Sequence, residues 1–277
     1  YFKYLNLIFS TFVSIGGTDF DALDIILPAG ISFFTFRSIS YIVDIYRGTL
    51  RPATNLLDYI FFLTFFPPLL AGPVVRAADM LPQIKRRPVA TRAMVGAGLF
   101  LIICGLIKKV IVADYISGNF VDRVFDNPAL YTGLENLLAL YGFTLQLYCD
   151  FSGYSDMAIG LALLLGFSFK DNFNAPFKSQ SPTEWWRRWH ISLSTWLRDY
   201  LYIPMGGSRC SVKRSYANQF NTMLLGGLWH GASWMYIIWG AWNGILLVVH
   251  KALRKAFPAP PGVRRDQWWR RVANIFL

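Results

Sequence analysis

His230 is the only Asp, Glu, His, Lys or Arg in the run Leu224 to Trp242, LLGGLWHGASWMYIIWGAW. An imidazole at membrane depth is costly, and such residues usually line a pathway or a reaction centre. In a water-poor cavity it can take the proton from an acceptor hydroxyl as that hydroxyl attacks an activated acyl group. Gly226, Gly227 and Gly231 permit close backbone approach, as a tunnel for a thin acyl chain would need. Trp229, Trp234, Trp239 and Trp242 supply an aromatic wall that would keep water from an activated ester. The alternative is an interior histidine satisfied by a backbone carbonyl or a tyrosine.

A second histidine lies in SPTEWWRRWHISLSTWLRDYLYIPMGG, Ser181 to Gly207. Ser181, Pro182 and Glu184 form a helix start, with serine as the cap, proline at the first helical position and glutamate three residues on. Pro204 and the two glycines after Met205 end the helix. On a continuous helix Trp186, His190, Leu193 and Leu197 share one face, and Arg187, Ser194 and Arg198 another. That is the pattern of an interfacial helix, with tryptophans at headgroup level and arginines toward phosphate. A lipid-anchored surface helix would satisfy the composition but would not explain His190 on the apolar side.

The third polar patch, YCDFSGYSDMAIG, places Tyr148, Asp150, Tyr154 and Asp156 inside an apolar region. Membrane carboxylates usually pair within a bundle, here for instance with Arg37 or an arginine of the interfacial helix. A helix break or an ion pair is the expected role, and neither aspartate is assigned to catalysis.

These groups must be held by membrane helices. The 277 residues are 54% hydrophobic and only 16% charged, so a soluble domain of this size would expose too much apolar surface. Ile25 to Tyr46 is one apolar run, with Arg37 and Asp44 on about the same helical face. Leu57 to Val75 is interrupted by Pro67, Pro68 and Gly72-Pro73, so a kinked or re-entrant segment is expected. Met94 to Ile116 is a clear span, with Lys108 and Lys109 near one end. Leu134 to Phe169 is too long for one upright crossing and is either two spans or one helix broken at CDFSGYSD. Asn218 to Trp229 is too short to cross, and Ser233 to His250 can return from it, leaving His230 at the junction.

Lys and Arg exceed Asp and Glu by 27 to 16, a net charge of +11. The positive residues cluster between apolar runs, as cytoplasmic loops facing anionic lipid do, so nucleic acid is not the expected partner. The basic segments Arg76 to Arg92, Lys170 to Arg214 and Lys251 to Arg271 fall on one side only if an even number of crossings separates each from the next. This favours a broken single helix over two spans in Leu134 to Phe169. Cys104, Cys149 and Cys210 form no CxxC pair, and His190, His230 and His250 have no second ligand at metal spacing, so neither a metal nor a bound cofactor is expected. The chain opens within an apolar segment, Tyr4 to Ile15, and closes within another, Val272 to Leu277, as a piece of a longer protein would.

FFPPLLAGPVVR (Phe65 to Arg76), YCDFSGYSDMAIGLALLLGF (Tyr148 to Phe167), EWWRRWHISLSTWLRDYLYIPMGG (Glu184 to Gly207) and LLGGLWHGASW (Leu224 to Trp234) together resemble the membrane-bound O-acyltransferases, and within them the bacterial enzymes that acetylate alginate. The resemblance implies an all-α, polytopic membrane protein with interfacial and re-entrant helices around a central tunnel. It implies one integral membrane domain over 1–277, lacking some N- and C-terminal helices, in the bacterial inner membrane. It makes His230 the catalytic histidine and His190 its companion, with Trp186, Arg187, Trp229 and Trp234 as tunnel candidates. The donor would be acetyl-coenzyme A or a related thioester, and the acceptor an exported polysaccharide reached through a periplasmic or surface acyltransferase partner. D-alanyl transfer to teichoic acid from a carrier protein, or a non-enzymatic part in polymer export, are the other readings.

Overall fold

The computed structural model describes residues 3–16, 28 and 30–257, and every regular element among them is helical. In chain order these are α1 (Leu5–Gly16), α2 (Ile31–Tyr46), α3 (Leu56–Thr64), α4 (Ala77–Lys85), α5 (Arg92–Leu106), α6 (Asp122–Asp126), α7 (Gly133–Leu164), α8 (Pro182–Arg188), α9 (Ile191–Leu197), α10 (Val212–His230) and α11 (Trp234–Ala256). They fall into two units, one of residues 33–173 and one of residues 1–32 with 174–277. The start of the Ile25 to Tyr46 run and the tail beyond Phe257 lie outside the described residues.

In the 33–173 unit the proline-rich segment does end a helix. α3 stops at Thr64, and the chain runs irregularly to Arg76 before α4 begins. Arg37 stabilises this break: fully buried on α2, it donates to the carbonyls of Phe62, Leu63, Phe65 and Pro68 at 2.9–3.2 Å. A helix C-terminus leaves carbonyls without intrahelical donors, and one guanidinium satisfies four oxygens here. Phe62, Phe65, Val75, Met80, Leu81 and Phe167 form an apolar core in the same unit.

α5 continues through π-helical turns, Ile107–Asp114 and Ser117–Val121, into α6, and the whole stretch Arg92–Asp126 is long and apolar enough to cross a membrane. α7 lies along it and is unbroken for 32 residues, roughly 48 Å at 1.5 Å per residue, so the break expected at CDFSGYSD is absent. Small residues there bring two backbones together instead. A Cβ on Gly105 would lie 2.5 Å from the Gly153 carbonyl oxygen, and one on Gly160 would lie 2.6 Å from that of Gly98. Such contacts substitute for the hydrophobic drive that lipid removes. They also set Lys108 against Asp156 at 2.6 Å and Lys109 against Asp150 at 2.5 Å, so the aspartates pair with the lysines of the preceding helix, not with an arginine.

In the other unit α10 and α11 form an antiparallel pair. Gly227 and Gly240 meet at their crossing, where a Cβ on Gly240 would lie 2.6 Å from the Met223 carbonyl oxygen and 3.0 Å from Gly227 Cα. α10 is longer than the sequence pattern suggested: its 19 residues measure roughly 28 Å, which removes the reading that it is too short to cross. Lys213 and Arg214, at the end of the basic segment that reads as a loop in sequence, are helical. Buried Asn218 shows why, donating to the carbonyls of Met205 (3.0 Å) and Gly207 (3.3 Å). α11 is the second stretch with the length and apolarity of a membrane span.

Candidate active site

The α8–α9 segment is two helices, not the continuous amphipathic helix expected. Ser181 caps α8 as its sequence indicates, its Oγ accepting from the Glu184 amide at 3.2 Å. α8 then ends at Arg188, and His190 takes φ 42°, a left-handed conformation that non-glycine residues rarely adopt. The strain, about 1–2 kcal/mol, is held by bonds on both sides. Trp189 N–H donates to Trp185 O at 2.8 Å, and Ser194 N–H donates to His190 O at 3.0 Å. The turn also puts His190 inside the protein, with 2% of its surface exposed, so the shared apolar face with Trp186, Leu193 and Leu197 does not exist as such.

His230 sits at the last position of α10 and is exposed. Its ring lies 4.9 Å from Trp229, 4.9 Å from Trp239 and 6.2 Å from Tyr236, centroid to centroid. The Trp229 ring also lies 6.3 Å from that of His190. One tryptophan is therefore flanked by a buried imidazole and an accessible one. Burial pushes the His190 imidazole down to about 3, with the neighbouring His230 acting in the same direction, so His190 is neutral at physiological pH.

The final turn of α10 is fastened from the start of the chain. Tyr4 Oη donates to the Leu228 carbonyl at 3.0 Å, and Lys3 Nζ donates to the Trp229 carbonyl and to Ser32 Oγ. These donors satisfy oxygens left over at the helix end. The glycines around His230 serve packing: a Cβ on Gly226 would press on Leu197, and one on Gly231 would strike the Tyr236 ring.

A cavity of about 540 Å³ opens beside α8 and α11. Its walls include Trp186, Arg187, Arg198, His250, Lys251 and Arg254, and no carboxylate is among the described residues that line it. Trp186 connects this space to the histidine cluster, since its ring lies 5.9 Å from Trp239, which touches His230. Of the four tunnel candidates, Trp186 and Arg187 line the cavity and Trp229 lies between the histidines. Trp234 is more than half exposed and donates from Nε1 to Thr11 Oγ1 at 3.2 Å, so it joins neither group. Lys251, Arg254 and Tyr202, all on the cavity wall, were not singled out from the sequence. The lysine and arginine read there only as part of a basic tail.

Two histidines thus flank one tryptophan beside a cationic cavity, in a chain whose described residues form only helices, two of the helical stretches having the length and apolarity of membrane spans. Residues 50–277 match the model of the membrane-bound O-acyltransferase family, and the chain belongs to that family; it is a membrane protein. Its relatives include the probable alginate O-acetylase AlgI of Azotobacter vinelandii, 49% identical over 97% of this chain and 54% of that protein. The corresponding Pseudomonas aeruginosa protein is 51% identical over 91% of this chain and 49% of its own length. A peptidoglycan O-acetyltransferase of Helicobacter pylori is 39% identical over 92% and 53%. The chain thus spans about half the length of the relatives it matches.

Proposed function

We propose that the protein to which this chain belongs is an O-acetyltransferase of the bacterial inner membrane. It moves an acetyl group from a cytoplasmic thioester, acetyl-coenzyme A or a related donor, to hydroxyls of an exported, alginate-like polysaccharide. An extracytoplasmic acyltransferase completes delivery. The observation that carries this reading is the pair of imidazoles on Trp229, one buried and neutral, the other accessible.

The two histidines then have different tasks. A general base must come within hydrogen-bond reach of the hydroxyl it deprotonates, and of the two rings only that of His230 is exposed, His190 keeping 2% of its surface. His230 takes the proton from the acceptor hydroxyl as that oxygen bonds to the acyl carbon. The carbon–sulfur bond breaks, and the departing thiolate recovers the proton from the imidazolium, giving an ester and a free thiol. His190 orients the indole and imidazole from behind. Arg187, Lys251 and Arg254 provide positive charge for the donor's phosphates, and Trp186 and Trp239 separate that aqueous end from the reaction centre.

The experiment uses membranes containing the full-length protein and its acceptor, given labelled acetyl-coenzyme A or a carrier protein loaded with labelled D-alanine. Label reaching the acceptor from the coenzyme A donor, and lost in His230→Ala, is the expected result. Transfer only from a carrier protein carrying D-alanine would replace this donor and acceptor by those of teichoic acid modification. Equal transfer by wild type and His230→Ala would refute the catalytic reading.

A further inference from the structure

Lys251 forms part of the wall of two cavities. Across it from the larger one lies a smaller space of about 170 Å³, lined by Ser208, Cys210, Ser215, Tyr216, Lys251 and Lys255 among others. Lys255 lines this space and not the larger cavity. Lys251 Nζ donates to Ser215 Oγ at 2.6 Å, Tyr202 Oη at 3.2 Å and Ser208 Oγ at 3.4 Å, and Tyr202 Oη lies 2.7 Å from Ser208 Oγ. The Ser215 side is buried, with 4% exposed. Neutral hydroxyls solvate an ammonium without cancelling its charge, and no carboxylate is among the described residues lining this space.

Each surrounding element adds the same sign. The first turn of α10 reaches the cavity through Val212 and Ser215, bringing the positive end of a 19-residue helix. Lys251, Arg254 and Lys255 all fall in the last two turns of α11, a helix with the length and apolarity of a span. Cations at that place on a spanning helix sit at the level of lipid headgroups. Hydroxyls that can rotate, two ammonium groups and a helix start together match the donor set that phosphate oxygens accept from.

We propose that this smaller cavity binds a phosphate ester, with Lys251 and Lys255 as charged anchors and the hydroxyls of Ser208 and Ser215 as orienting donors. The site adjoins the donor cavity of the preceding section, shares Lys251 and Ser208 with it and differs from it by Lys255, and it stands whether or not the protein transfers acetyl groups. Lys251 belongs to both spaces, so occupation of one bears on the charge available to the other.

The test counts ligands held by the purified full-length protein in neutral detergent, using native mass spectrometry. Phosphatidylglycerol, a glycolipid of the same chains without phosphate, inorganic phosphate and coenzyme A are offered separately. The expected result is retention of phosphatidylglycerol over the glycolipid, weakened about tenfold in Lys255→Met and in Lys251→Met and restored in Lys251→Arg. If only inorganic phosphate or coenzyme A shows that dependence on Lys255, the phosphate comes from solution and the site still stands. If Lys255→Met and Lys251→Met, each with a wild-type melting temperature, bind all four as wild type does, the proposal is overturned. A variant that melts early is replaced by Ser215→Ala, read by the same criteria.

Discussion

Gly240→Ala tests whether the α10–α11 crossing positions His230. The added Cβ would lie 2.6 Å from the Met223 carbonyl oxygen and 3.0 Å from Gly227 Cα, both backbone atoms that no rotamer change can move. To reach ordinary contact the two helices must part by roughly 0.5–1 Å, enough to forfeit a quarter to a half of the dispersion energy along the seam. Overpacking of this kind costs about 1–3 kcal/mol. Trp239, whose ring contacts His230 at 4.9 Å, is the residue before Gly240, and Gly227 is three residues before His230. The displacement therefore falls directly on the imidazole–indole contact. A 1 Å misplacement of a reacting group can lower a rate by about a hundredfold. The assay is the initial rate of acetyl transfer by membranes with equal amounts of full-length protein, alongside Gly96→Ala, whose Cβ meets nothing within 4 Å. A rate ten- to a hundredfold below that of Gly96→Ala is expected. A rate within twofold of that control would refute the claim that this seam sets the geometry of His230.

Asp156→Asn should strand the Lys108 ammonium inside a helix of membrane length and cost about 1–3 kcal/mol, less than a fully buried pair because the two side chains keep 22% and 34% of their exposure. Lys108→Met with Asp156→Asn should recover much of that loss, and a double-mutant cycle on the thermal midpoint in detergent measures the coupling. His190 gives a pH dependence of defined sign. Its folded value, about 3, lies below the ordinary 6.5, so between those pH values the unfolded chain binds the extra proton. Stability then falls as pH drops from 6.5 toward 3, by at most about 1.4 kcal/mol per pH unit from this group. His190→Gln should lose that component of the slope, and identical slopes in the two proteins would contradict the burial of a neutral imidazole.

What could be read from the residues alone was mostly local. His230 was visible because an ionisable group among tryptophans is conspicuous, and the Ser181 cap because its chemistry lies within four residues. The turn at His190 was hidden, since nothing in WWRRWHIS except the structure indicates a left-handed residue in an otherwise helical pattern. α10 was misjudged because Val212 to Ala217 continue a basic segment read as a loop, whereas they form the first turns of the helix, and Asn218 binds the carbonyls of Met205 and Gly207 just before it. The pairing of Lys108 and Lys109 with Asp156 and Asp150 of the next long helix depends on the register of two helices, which glycines at 98, 105, 153 and 160 set only once they are seen facing each other.

The most direct measurement is the O-acetyl content of exported polymer from a deletion strain complemented with full-length His230→Ala at wild-type membrane abundance. Acetylation should fall to the level of the deletion strain. Polymer acetylated as fully as with the wild-type gene would remove His230 from the chemistry.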